Sequence, residues 1–152
     1  MKSKKIKKGD VFNGESKKPW LYTEIVKDHF LHPRNILADE KNYKFDAKGT
    51  SGNPVCGDVM IIWLKVDPKT QKIKECKWRT FGCASAIAST SMMSVVLTEK
   101  GGMTIKKALK LKPQEIVKRL GGLPDIKIHC SVLGQNALKE ATNDYLKKQI
   151  KK

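Results

Sequence analysis

The sequence predicts an α+β fold: a small antiparallel sheet followed by packed helices, the last of them long. Three observations carry this. VMIIWLKV and KIKECKWRTF are apolar, β-branched or aromatic runs joined by the turn DPKTQ, which together read as a strand pair. After the loop FGC comes CASAIASTSMMSVVLTEK, a helix of small residues suited to close packing against a neighbour. From His129 or Cys130 to about Ile150, Leu133, Ala137, Ala141 and Tyr145 recur at i, i+4 spacing, one face of a long helix.

In chain order, residues 1–19 read as a flexible basic arm of Lys, Gly, Asn, Ser and Pro with few apolar anchors. A single domain over 20–152 follows, with order beginning at Trp20. LYTEIVKDHF places Tyr22, Ile25, Val26, His29 and Phe30 on one helical face, and Pro33 stops the helix. Residues 49–57, GTSGNPVCG, carry the glycines, proline and asparagine of a loop. On the returning strand Cys76, Trp78 and Thr80 share one face, and Glu75, Lys77 and Arg79 the other. The small-residue helix is closed by Gly101-Gly102. Short helices are expected from Thr104 and from Pro113, a helix-starting proline. GGLP separates them from the terminal helix.

The chain has 152 residues, enough to bury a core without disulfides. It has no stretch of eighteen apolar residues, and MKSKKIKKGD lacks the apolar segment of a secretion signal. The expected compartment is the cytoplasm, and no membrane is implied. A net charge of +16 suits an acidic partner, whether nucleic acid, a membrane surface or a protein face. The lysines are spread along the chain, however, which favours a solvated basic surface over a dedicated nucleic-acid site.

Four cysteines in a reducing compartment read as thiols, metal ligands or catalytic groups rather than disulfides. Cys56 lies in a Gly/Pro/Asn loop, where thiol chemistry is more at home than packing. Asp58 follows it, as an oxygen ligand or as a turn cap. Cys83 begins a helix, where free N–H groups and the helix dipole favour the thiolate. Cys130 also stands near a helix start beside His129, and only at a helix terminus can adjacent residues reach one metal. Cys76, mid-strand beside Trp78, reads as a small core residue. Such a set has more donors than the four of a closed zinc site, and suits cargo that is accepted, held and released.

HPRN at 32–35, SGNPVCGD at 51–58, TFGCASAIAST at 80–90 and LPDIKIHCSVLG at 123–134 resemble the IscU-type scaffolds and the N-terminal domain of NifU. The resemblance is collinear from about residue 20 to 147. It implies a three-stranded, mainly antiparallel sheet packed against several helices. It further implies assembly of a [2Fe–2S] cluster from iron and from persulfide sulfur supplied by a pyridoxal-phosphate cysteine desulfurase. The cluster then passes to apo iron–sulfur proteins or carriers.

By that resemblance Cys56, Cys83 and Cys130 are the cluster thiolates, and His129 or Asp58 makes the fourth contact at different stages. Cys130 matches the persulfide acceptor, Asp58 the aspartate linked to cluster lability, and Lys127 a lysine that exchanges with metal ligands. The same residues bind zinc in family members. LPDIK has Asp125 where the family's chaperone-recognition segment carries a second proline, a departure that bears on docking of an Hsp70-type chaperone. The basic arm has no counterpart in the family pattern. The branch that carries an insertion between the second and third cysteines usually lacks the histidine present here as His129.

The competing readings are a zinc-dependent sulfur acceptor for a cysteine desulfurase and, more remotely, a basic nucleic-acid-binding protein with a structural metal. Sparse aromatics and the lack of a recognisable binding module weigh against the latter. An enzyme in its own right is not expected, because the chemistry depends on a partner's cofactor. A homo-oligomer is compatible with the sequence.

Overall fold

The computed structural model describes residues 11–12, 19–20, 22–53, 57–124 and 129–151, with the backbone alone at 11–12, 19–20, 53 and 129–130. Val11–Phe12 (β1) pairs antiparallel with Pro19–Trp20 (β2). The rest of the segment expected as a basic arm lies outside the described residues. Three further strands, Ala47–Asn53 (β3), Asp58–Val66 (β4) and Ile73–Phe81 (β5), form an antiparallel sheet in the order β3-β4-β5.

Strand β4 supplies the centre of the core. Met60, Ile62 and Leu64 are fully buried on one face, alongside Ile73, Cys76 and Trp78 of β5. Trp63, on the opposite face, is equally buried. Its indole N–H donates to Glu40 Oε1 at 3.0 Å, while Lys48 Nζ lies 5.5 Å and Arg79 Cζ 5.9 Å from ring centroids. Burial on both faces explains why β4 reads as a continuous apolar run rather than an alternating one.

The loop expected at 49–57 is corrected over residues 49–53, which belong to β3. Its glycines answer a packing demand. A Cβ on Gly49 would stand 2.1 Å from Ala137 O and 2.3 Å from Ala141 N, both backbone atoms of the last helix. Glycine in this strand lets helix and sheet backbones meet closely.

Helix α1 spans Glu24–Leu31, capped by Thr23, whose Oγ1 accepts from Val26 N at 3.1 Å. Of the expected apolar face Val26 and His29 are buried, but Ile25 and Phe30 are 44% and 42% exposed. Helix α2, Ala84–Thr98, packs against α1, β5 and the last helix, so nearly its whole circumference is covered. It ends before the expected glycines, in a 3₁₀ turn at Glu99–Gly101. Helices α3 (Ile105–Lys110) and α4 (Pro113–Arg119) begin at the expected Thr104 and Pro113. Helix α5, His129–Ile150, crosses β3 and β4 with Leu133, Ala137, Ala141 and Tyr145 buried as the spacing requires. The α+β expectation and the three-stranded sheet hold.

Candidate functional site

The site begins where β5 leaves the sheet. Phe81 ends the strand, Gly82 follows, and Cys83 is the N-cap of α2 with extended backbone (φ −72°, ψ 171°). The first free N–H groups of α2 therefore surround the Cys83 position, where an anionic sulfur is favoured. Cys83 is half-buried and forms no disulfide among the described residues.

Antiparallel pairing brings the start of β4 to the same end of the sheet, with Val59 opposite Phe81. Asp58, the first residue of β4, thus stands beside the loop that carries Cys83. A Cβ on Gly82 would lie 3.6 Å from Asp58 Cγ, 3.2 Å from Thr80 Oγ1 and 3.0 Å from Ala86 Cβ. The absence of a side chain at Gly82 avoids crowding against Ala86 and Thr80, and the Asp58 carboxyl lies at ordinary contact distance from that position. Gly57, between Cys56 and Asp58, has φ +70°, a left-handed conformation that glycine adopts without a steric penalty.

Cys56 and Lys127 themselves lie outside the described residues. His129 and Cys130 are the first two residues of α5, and their backbone is helical. Gly134, one turn further along, approaches α2 so closely that a Cβ there would meet Thr90 Oγ1 at 3.0 Å. Ser131 and Ser89 line the same small cleft between the two helices. Among the described residues no cluster of three or more His, Cys, Asp and Glu side chains comes together.

Cys76 is set apart from this end of the molecule. It is 1% exposed among core residues of β5, and burial pushes its thiol up to about 12. A neutral, enclosed thiol neither ligates nor attacks sulfur readily. It is a packing residue.

Two features that hold α2 in place escaped the sequence reading. HPRN is a clamp on α2. Arg34 N donates to Ser91 Oγ at 2.9 Å, Asn35 Nδ2 donates to Ser94 Oγ at 2.9 Å, and His29 Nδ1 lies 2.7 Å from Ser91 Oγ. The same segment accepts the Trp78 indole N–H on Arg34 O at 2.7 Å, and Asn35 takes φ +66° to do so. Tyr22 OH lies 3.2 Å from Ser85 Oγ, within the first turn of α2. The visible signal was the set of serines spaced through an otherwise apolar helix, buried hydroxyls that require partners.

Residues 21–152 match the family described as the NifU-like N-terminal domain. The iron–sulfur cluster assembly scaffold protein IscU 1 of Archaeoglobus fulgidus is 45% identical over 131 residues, covering 86% of this chain and 80% of that protein. The IscU scaffold of Aquifex aeolicus is 45% identical over 130 residues, covering 84% of this chain and 78% of its own. Among solved structures, an N-terminal NifU-like protein of Brucella abortus superposes with a TM-score of 0.59 at 17% identity, over 83% of this chain and 94% of that one, a likeness of fold. A fold of this topology, with a cysteine at the tip of α2 and these sequence relationships, makes the chain a member of the NifU-like N-terminal domain family.

Proposed function

We propose that this chain is a scaffold on which iron–sulfur clusters are assembled and from which they are handed on. The observation that carries the reading is the juxtaposition of Asp58 with the Gly82–Cys83 helix tip, in a chain close in sequence to proteins named as such scaffolds. The cargo is a [2Fe–2S] cluster. Cys56, Cys83 and Cys130 hold it as thiolates, the ligand type that dominates iron–sulfur ligation. His129 and Asp58 alternate as the remaining contact, and a hard carboxylate beside soft sulfur donors suits iron entry and release.

Sulfur arrives as persulfide from a pyridoxal-phosphate cysteine desulfurase and is taken up on Cys130. Lys127 exchanges with a ligand during loading, and the finished cluster leaves for apo-proteins or carriers. The work is cytoplasmic in this reading. Among the described residues no helix is long and apolar enough to cross a membrane. Residues 1–19 serve as an arm outside the assembly chemistry, since they contain none of the ligand residues.

An anaerobic absorption spectrum after incubation with a desulfurase, cysteine and ferrous iron tests this. Visible charge-transfer bands of a [2Fe–2S] centre are expected. Uptake of sulfur on Cys130 with zinc bound and no such bands would overturn the scaffold reading in favour of a zinc-dependent sulfur acceptor.

A further inference from the structure

The pole of the molecule at the far end of α2 from Cys83 carries a cleft of about 300 Å³. Its lining joins Lys72 before β5, Lys100 in the 3₁₀ turn, Lys107 on α3, and the apolar side chains of Val96 and Met103. Its floor is fastened by main-chain hydrogen bonds. Ile73 N donates to Met103 O at 2.8 Å, Ile105 N to Gln71 O at 2.9 Å, and Met103 N to Leu97 O at 2.8 Å. A Cβ on Gly102, which has φ +98°, would stand 2.3 Å from Ile73 O, so the turn lies directly on the strand.

The charge of the cleft is one-sided. Among the described residues Glu99 is its only carboxylate, and that group is already held by Arg119 through bonds of 2.8 and 3.0 Å. The carbonyl end of α2 contributes about half a negative charge, well short of balancing three ammonium groups. None of the three lysines pairs with a carboxylate among the described residues. Lys100 also holds a left-handed backbone (φ 53°, ψ 38°), a conformation that disfavours any residue with a Cβ and that glycine would relieve. Lys100 sits in the turn that closes α2, where a left-handed residue ends the helix and sets this lysine at the edge of the cleft.

We infer that this cleft binds a small phosphate-bearing organic anion, with its phosphates on Lys72, Lys100 and Lys107 and its organic body against Val96 and Met103. The volume lies at the lower end of small-molecule sites, suited to a nucleotide-sized ligand. The inference stands independently of the scaffold reading, because it uses none of the ligand residues.

The test is a backbone-amide NMR titration of the full chain with ADP, and separately with inorganic phosphate, at ionic strength fixed with sodium chloride. Saturable shifts at Gly102, Met103 and Thr104 are expected, with ADP at least threefold tighter than phosphate. Equal affinity for the two would overturn the role of Val96 and Met103. Lys72→Gln with Lys107→Gln should weaken ADP at least tenfold, while Lys139→Gln with Lys147→Gln, on α5, should leave it unchanged. Lys100→Gly should weaken ADP several-fold with an unchanged or higher melting temperature, a combination that a purely structural lysine cannot produce. Non-saturating shifts, shifts spread over the lysine surface, or an affinity indifferent to the Lys72/Lys107 pair would overturn the proposal.

Discussion

Cys76 and Cys83 stand on one short stretch of chain and present opposite chemistry. Cys76 faces into the sheet's core, enclosed between strand and helix, and its thiol is held neutral. Cys83 sits where the same strand has ended and α2 has begun, half-buried, at the positive end of a helix dipole. The residue type is identical. The difference is whether the backbone places the sulfur inside a regular element or at its terminus, and so whether a charge on sulfur is penalised or supported.

That contrast can be broken most directly by substitution. Cys83→Ser, like Cys56→Ser and Cys130→Ser, is expected to abolish stable cluster assembly, read as loss of the visible absorption bands. Cys76→Ser should keep those bands, and equal loss in both variants would erase the distinction. Alkylation gives a second view. Iodoacetamide should label Cys83 at least about a hundredfold faster than Cys76 in the native protein, since only thiolate reacts and an enclosed thiol must first be exposed. Peptide mass spectrometry of timed samples reads the ratio.

Asp58 sharpens the comparison, because it is the charged group the structure sets beside the Cys83 loop. Asp58→Ala should lengthen cluster lifetime in air and slow transfer to an apo-ferredoxin by several-fold. A carboxylate serving only as a turn cap would instead cost about 0.5–2 kcal/mol of stability with decay unchanged. For Cys76→Ser the expected effect is purely on folding, about 1–3 kcal/mol lost to a hydroxyl buried in an apolar site, read by denaturant melts.

The smallest effect concerns the clamp that holds α2. Burial first, and then the Arg34 charge, depress His29 below its usual 6.5, while Asp28 partly offsets them. The native state therefore holds His29 neutral. Its contribution is fully present above pH 6.5 and is lost as pH falls, because the unfolded chain takes up the proton first. Stability should decline below pH 6.5, and His29→Asn should flatten that slope.

Much of this was legible in the residues. The hairpin of β4 and β5 followed from apolar runs around DPKTQ, and α5 from the spacing of Leu133, Ala137, Ala141 and Tyr145. The separation of Cys76 from Cys83 followed from one lying mid-strand and the other at the start of a helix. β3 was not legible, because a glycine demanded by a crossing helix looks in sequence like a glycine demanded by a turn. Gly49 owes its identity to Ala137 and Ala141, far along the chain.

What the sequence determined by itself is therefore local: which stretches alternate, which repeat at helical spacing, and which thiols fall at element ends. Those follow from backbone geometry and side-chain periodicity within a few residues. What only the tertiary structure decided is which distant groups meet. The Ser91 and Ser94 hydroxyls are satisfied by HPRN, Trp63 is buried beneath Glu40, Lys48 and Arg79, and Asp58 comes beside the loop of Cys83. Each meeting depends on strand register and helix packing. These are set by the burial of the whole core, and no short window of sequence contains that information.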